Sequence, residues 1–86
     1  MNERSKELFL KARRETLYLE LVLHNRWVGA DEIIENVNST LSRLENGTEI
    51  MYQDVATIQS DAAEFNKDEK LSKIIYEDGR FKLCHH

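Results

Sequence analysis

Hydrophobic residues follow a helical spacing from the start of the chain. Leu8, Phe9 and Ala12 fall on one side of a helix, and the following stretch, TLYLELVL, is nearly all apolar. Because good helix formers continue without a break, we predict a first helix over residues 5–26. The loose alternation in TLYLELVL leaves a strand as the alternative. A helix that is apolar on most sides is typically buried by its neighbours or by a second subunit.

A second helix is predicted over residues 31–46. Asp31 suits its N-cap or first turn, and the pair Asn46-Gly47 is typical of a helix end. The apolar positions of this helix fall on one side: Ile33, Ile34, Val37, Leu41 and Leu44. The run from Asn38 to Thr40 contains mediocre helix formers, so an interrupted helix over 31–38 and 40–45 is the alternative.

The cleanest periodicity in the chain predicts a third helix over residues 48–66. Thr48 is its expected N-cap, with Glu49 in the first turn. The apolar positions then recur at intervals of 4, 3, 4 and 3 residues: Met51, Val55, Ile58, Ala62 and Phe65.

A β-hairpin is predicted at residues 73–83. Asp78-Gly79 is a preferred pair for a two-residue turn in which both residues have positive φ. That turn sets Tyr76 opposite Phe81 and places one apolar face on the hairpin, made of Ile74, Tyr76, Phe81 and Leu83. A lone hairpin is unstable in water, so we expect this face to pack on the helices.

Composition indicates one small cytoplasmic domain that spans residues 1–86. The 86-residue chain can bury one modest core, and it has no proline, which favours helices. No apolar run is long enough for a membrane span, and the N-terminus lacks a signal-peptide core. A single cysteine, Cys84, suits a reducing compartment.

Motifs for catalysis are absent from the sequence. There is no glycine-rich phosphate loop, no HExxH pattern and no credible pair of nucleophile and base. Cys84, His85 and His86 are three adjacent residues without a fourth ligand, so no metal site is predicted. We expect a protein that is not an enzyme and that uses no cofactor.

Charge is distributed unevenly along the chain. Residues 28–66 carry eight acidic residues and one basic residue, Arg43, whereas the two ends together carry eleven basic and eight acidic residues. An acidic middle segment opposes contact with a polyanion such as DNA. One of its acids, Asp54, could instead turn inward to pair with Arg43 or with a backbone amide.

Three stretches together resemble the DNA-binding domain of Mga/AtxA-type bacterial regulators and of related antiterminator-like regulators. The first, LYLELVLHNRWVGADEIIENVN, has an apolar helix, a corner at Arg26-Trp27 and an acidic-apolar second helix. The second and third, TEIMYQDVATIQSDAAEF and LSKIIYEDGRFKL, are similar to the third helix and the wing. The resemblance implies a mainly α, three-helix winged helix-turn-helix with a C-terminal two-stranded hairpin as its wing.

This resemblance implies a regulator that binds double-stranded DNA, as a homodimer, through the third helix and the wing. The residues expected to contact DNA are Thr48, Tyr52, Gln53, Gln59, Lys73, Arg80 and Lys82. Gln53 or Gln59 would read adenine, and Arg80 and Lys82 would hold phosphates. The alternative is a small protein-interaction or dimerisation module that binds no DNA, such as a phage- or plasmid-type antagonist of a host protein.

Overall fold

A computed structural model describes residues 3–84 of the chain. Within that range the protein is mainly helical, with a small antiparallel sheet of three strands. The elements in chain order are α1 (Glu3–His24), β1 (Val28–Gly29), α2 (Ala30–Leu41), a short 3-10 helix (Gly47–Ile50), α3 (Val55–Phe65), β2 (Lys73–Glu77) and β3 (Arg80–Cys84).

The predicted hairpin is confirmed in turn and register. Asp78 and Gly79 have φ values of 50° and 78°, and Tyr76 pairs with Phe81 across β2 and β3. Ile74, Phe81 and Leu83 are buried, while Tyr76 keeps partial exposure with its ring 4.9 Å from that of Phe81. Three of the four residues of the predicted apolar face therefore pack on the core as expected, whereas Tyr76 is exposed.

A third strand, β1, was not predicted. Val28 and Gly29 pair with Phe81 and Arg80, so β3 lies in the middle of the sheet. Two residues are too short to show an alternating pattern, and β1 exists because β3 offers a free edge. The side chain of Val28 is fully buried.

The first helix is a helix along its whole length and not a strand, but it ends at His24 and not at residue 26. Asn25 has a φ of 47°, and a left-handed residue is a common helix terminator. Leu17 and Leu21 from α1 are buried in the core.

The predicted end of the second helix at residue 46 is wrong, because α2 stops at Leu41. The interrupted alternative is also wrong, since α2 continues through Asn38. Turns follow, and Gly47 then passes so close to the helix end that a Cβ atom there would lie 1.7 Å from the carbonyl oxygen of Leu41. The sequence signal at Gly47 therefore reflects close backbone approach and not a helix cap.

The predicted third helix over 48–66 is also corrected. Residues 47–50 form the 3-10 helix, and α3 begins only at Val55. The side chain of Asp54 caps α3 by accepting a 2.8 Å hydrogen bond from the backbone N–H of Thr57. Asp54 is thus bonded to a backbone amide, as one interpretation of the sequence held, but it is exposed and not turned inward.

One hydrophobic core lies where the three helices meet the inner face of the sheet. All elements contribute to it. Its fully buried large side chains are Leu17, Leu21, Val28, Ile33, Val37, Leu41, Tyr52, Ile58 and Phe81.

Candidate functional site

The outer face of the sheet carries two of the predicted site residues. Arg80 and Lys82 are two apart on β3, so both point away from the core. The guanidinium carbon of Arg80 lies 5.8 Å from the ring centroid of Trp27, which positions the charge over an aromatic face. No carboxylate in residues 3–84 forms an ion pair with either cation. Both charges are therefore available to an anion.

The outward face of α3 is small and uncharged up to its last turn. Its exposed positions are Ala56, Gln59, Ser60, Ala63 and, near the end, the acidic residue Glu64. Gln59 lies there as predicted. At the end of this face Glu64 accepts a 2.9 Å hydrogen bond from the ammonium group of Lys67, and this lowers the pKa of the Glu64 carboxyl.

Asp61, the central acid of α3, points into the protein. Its carboxylate accepts two hydrogen bonds from Arg13 of α1, at 2.6 Å from Nε and 3.0 Å from Nη2. The Tyr52 hydroxyl donates a third at 2.6 Å, and Arg14 donates a longer one at 3.4 Å. Since both side chains of the Arg13–Asp61 ion pair are buried, the Asp61 carboxylate adds no negative charge to the exposed face of α3.

The remaining contacts of Arg13 complete this buried group. Its Nη1 donates a 2.9 Å hydrogen bond to the carbonyl oxygen of Ile50, and its guanidinium carbon lies 4.8 Å from the centroid of the Tyr52 ring. Burial, followed by the bond to Asp61, raises the pKa of the Tyr52 hydroxyl far above its ordinary value. Tyr52 therefore acts as a neutral hydrogen-bond donor at every physiological pH.

Tyr52 is consequently a correction to the predicted site. It was expected to point outward from the third helix, but its side chain is buried and it precedes α3. The reason is that Tyr52 fills the core and bonds Asp61.

Thr48 and Gln53, two further residues predicted to contact DNA, are exposed, but both precede α3 and do not lie on it. Thr48 lies on the 3-10 helix, and Gln53 lies in the segment between that helix and α3. They do not share a helical face with Gln59. The continuous helical surface predicted to contact DNA is therefore shorter than expected.

Lys73 is engaged inside the protein. Its ammonium group donates a hydrogen bond to the backbone carbonyl oxygen of Asn66, which follows the last residue of α3. Lys73 thus links the end of α3 to the start of β2. Because its ammonium group already donates this hydrogen bond, it is less available to a phosphate.

Two asparagine side chains set the path of the chain around α3, and neither was singled out from the sequence. Asn38 accepts from the Tyr52 N–H and donates to the Tyr52 carbonyl, both at 2.8 Å. Asn66 does the same to Ile74, accepting at 2.7 Å and donating at 2.9 Å. Each side-chain amide thus pairs with both the N–H and the C=O of one backbone residue, as a neighbouring backbone segment would.

A cleft separates the start of α3 from the hairpin turn. Its volume is about 290 Å³, and it is lined by Gly29, Ala30, Asp31, Val55, Tyr76 and Gly79. The turn is fixed there, because the Ala30 N–H donates a 2.9 Å hydrogen bond to the carbonyl oxygen of Gly79. The hairpin and α3 therefore border one common surface.

Sequence reasoning missed Arg13 and Asp61, which are the buried charged residues within the range 3–84. They are 48 residues apart, and no local pattern links them. The signal in the sequence was an interruption of the apolar face of α1: Arg13 occupies a helical position in line with Leu17 and Leu21.

Metal-ligating groups are not assembled in the described range. No cluster of three or more His, Cys, Asp or Glu side chains with metal-binding geometry occurs in residues 3–84. His85 and His86, considered with Cys84 in the sequence, lie outside the described residues. In the same range, no helix has the length and apolar character needed to cross a membrane.

Comparison of the chain with protein-family models, curated proteins and solved structures finds no match.

Proposed function

We propose that this chain is a winged-helix domain that binds double-stranded DNA and acts in transcriptional control. The order of elements supports this assignment: three helices, a strand between the first two, and a closing hairpin that pairs with that strand. In this proposal α3 is the recognition helix and the β2–β3 hairpin is the wing.

The observation that carries the proposal is the inward orientation of Asp61. The sequence alone places four acids between Glu49 and Glu64, which opposes contact with phosphates. Arg13 neutralises Asp61 inside the protein, Lys67 pairs with Glu64, and Asp54 caps its own helix. Glu49 lies on the 3-10 helix, outside α3. Between the capping carboxylate of Asp54 and the Glu64–Lys67 pair, α3 therefore presents the uncharged residues Ala56, Gln59, Ser60 and Ala63 to the outside.

The dimensions of α3 suit a DNA groove. Its 11 residues span about 16 Å, and its small side chains permit close approach to base edges. The amide of Gln59 has the donor and acceptor needed to bind adenine in a bidentate manner. Arg80 and Lys82 on the wing supply the cations for phosphates beside the groove.

Fluorescence anisotropy with a mixed-sequence duplex tests this assignment at several salt concentrations. We expect binding that weakens steeply with salt, and we expect Arg80→Ala or Lys82→Ala to reduce the slope of log K against log salt by about 0.9 for each lost phosphate contact. Arg43→Ala is the matched control, because it removes an exposed cation outside the proposed surface.

Absence of binding at low salt would overturn the proposal. Equal effects of Arg80→Ala and Arg43→Ala would also contradict it, because they would show a response to net charge and not to a located surface. Either result would favour the alternative function, an interaction module whose partner is another protein.

A further inference from the structure

The outward face of α1 carries large apolar side chains that nothing in the described chain covers. Leu8, Leu19 and Leu23 are 64%, 57% and 79% exposed, and Val22 is 43% exposed. They lie opposite Leu17 and Leu21, which face the core. Exposed apolar side chains in one contiguous row mark an interaction surface more often than isolated ones do.

The spacing of this row is that of a coiled-coil seam. Positions 8, 12, 15, 19 and 22 recur at alternating intervals of 4 and 3 residues, which places them on one stripe of the helix. Apart from Glu15, the seam positions are apolar: Leu8, Ala12, Leu19 and Val22. We call these five positions, with Leu23 beside them, the α1 seam.

Charged residues within and beside the α1 seam indicate which partner covers it. Lys11 and Glu15 are exposed near the middle of α1, and neither forms an ion pair with another residue in the range 3–84. A second copy of α1 packed antiparallel brings Leu8 opposite Leu19 of the partner subunit. In that register Lys11 lies beside Glu15 of the partner subunit, and two-fold symmetry forms the same pair twice.

A parallel arrangement of the two α1 helices does not pair opposite charges in this way. It would place Glu15 directly against Glu15 of the partner subunit in the centre of the seam, where like charges repel. We therefore propose that the chain forms a homodimer through antiparallel packing of its α1 seams. This inference does not depend on DNA binding, because the seam lies on α1 and the proposed DNA surface lies on α3 and the wing.

The size of the seam sets the strength of the dimer. In the register that sets Leu8 opposite Leu19 of the partner subunit, the paired stretch from Leu8 to Leu19 extends about 16 Å. One helix pair of that length buries less than the roughly 800 Å² per partner of a standard stable interface. We therefore expect a reversible dimer whose population depends on the concentration of the chain.

Sedimentation velocity over a concentration series is the first test. We expect the natural chain to shift from monomer to dimer, and we expect Leu19→Gln to weaken dimerisation about a hundredfold, since each of the two copies loses about tenfold in affinity. The control is Leu44→Gln, which changes a leucine that is 41% exposed but lies outside the seam. A chain that stays monomeric at every concentration, or that responds equally to both changes, would overturn the proposal.

Disulfide cross-linking tests the orientation. In a Cys84→Ser background, Leu8→Cys and Leu19→Cys chains are prepared separately and then mixed under mild oxidation. Antiparallel packing predicts a cross-linked dimer that forms at least tenfold faster in the mixture than in either chain alone. Efficient cross-linking of each chain with itself would indicate parallel packing and contradict the proposed register.

Discussion

The hydroxyl group of Tyr52 donates a 2.6 Å hydrogen bond to the carboxylate of Asp61, nine residues further along the chain. The same carboxylate binds Arg13, so one buried acid joins α1, the segment before α3, and α3 itself. The position of α3 is therefore determined by polar contacts as well as by apolar packing.

Removal of the Tyr52 hydroxyl should destabilise the protein. Tyr52→Phe keeps the ring but leaves a buried carboxylate with one donor fewer, which we expect to lower the free energy of unfolding by about 1–3 kcal/mol. Urea denaturation measures the change. The control is Tyr76→Phe, because Tyr76 is 43% exposed; equal losses in the two variants would contradict a special role for the Tyr52 hydroxyl.

Loss of Asp61 should be more severe, because it leaves the Arg13 charge buried without its carboxylate partner. We expect Asp61→Ala to lower the free energy of unfolding by about 3–5 kcal/mol. Glu64→Ala, on the same helix but with an exposed ion pair, should change stability little.

A double variant separates the charge effect from a simple packing effect. Arg13→Met combined with Asp61→Leu removes both charges, and we expect it to be more stable than Asp61→Ala alone. If the double variant were as unstable as Asp61→Ala or worse, the unpaired charge would not be the cause of the loss.

Gly47 should tolerate no larger residue. In Gly47→Ala the new methyl group would meet the Leu41 carbonyl, and the backbone must shift; we expect a loss of about 1–3 kcal/mol in urea denaturation. Gly29→Ala is the matched control, since no atom lies within 4 Å of its added Cβ. A harmless Gly47→Ala would show that the turn after α2 runs elsewhere.

The cap of α3 should respond to pH. The hydroxyl and backbone N–H of Thr57 bind the Asp54 carboxylate and lower its pKa below the ordinary 3.8. Because the folded-state pKa is lowered, the charged cap contributes fully above about pH 4, and its contribution is lost as pH falls through the folded value. Asp54→Asn keeps a capping side chain without this titration.

We therefore expect the stability difference between the natural chain and Asp54→Asn to be constant near neutral pH and to shrink in acid. Urea denaturation at a series of pH values measures it. A difference that grows as pH falls below 4 would reverse the sign and contradict the cap.

The Asn38 amide should hold the segment before α3 in place. Asn38→Ala removes both hydrogen bonds to the Tyr52 backbone, and we expect a loss of about 1–3 kcal/mol together with faster hydrogen exchange at the Tyr52 amide. Ser39→Ala, which alters the neighbouring exposed side chain, should leave the exchange of that amide unchanged.

The hairpin was fully predictable because its determinants are local. Asp78-Gly79 selects a two-residue turn, and a two-residue turn leaves only one register for the strands on either side. The existence of three helices was predictable for the same reason, from apolar spacing within each segment.

The start of α3 was not predictable, although its periodicity was the clearest in the chain. Met51 fits the spacing of Val55 and Ile58, but it precedes the helix. Non-local contacts outweigh the local pattern there, because Asn38 binds the Tyr52 backbone and Asp61 binds the Tyr52 hydroxyl. Of the proposed surface, Gln59, Arg80 and Lys82 were identifiable from the sequence, whereas the neutral charge of the α3 face depends on a partner 48 residues away.

The two anchors of the hairpin have a thermodynamic consequence. Asn66 fastens the start of β2 to the end of α3, and the Ala30 N–H fastens the turn to the start of α2. The hairpin therefore cannot swing relative to α3 without breaking hydrogen bonds. A ligand that contacts both elements meets a surface whose conformational entropy was already lost during folding, so little further ordering opposes its association.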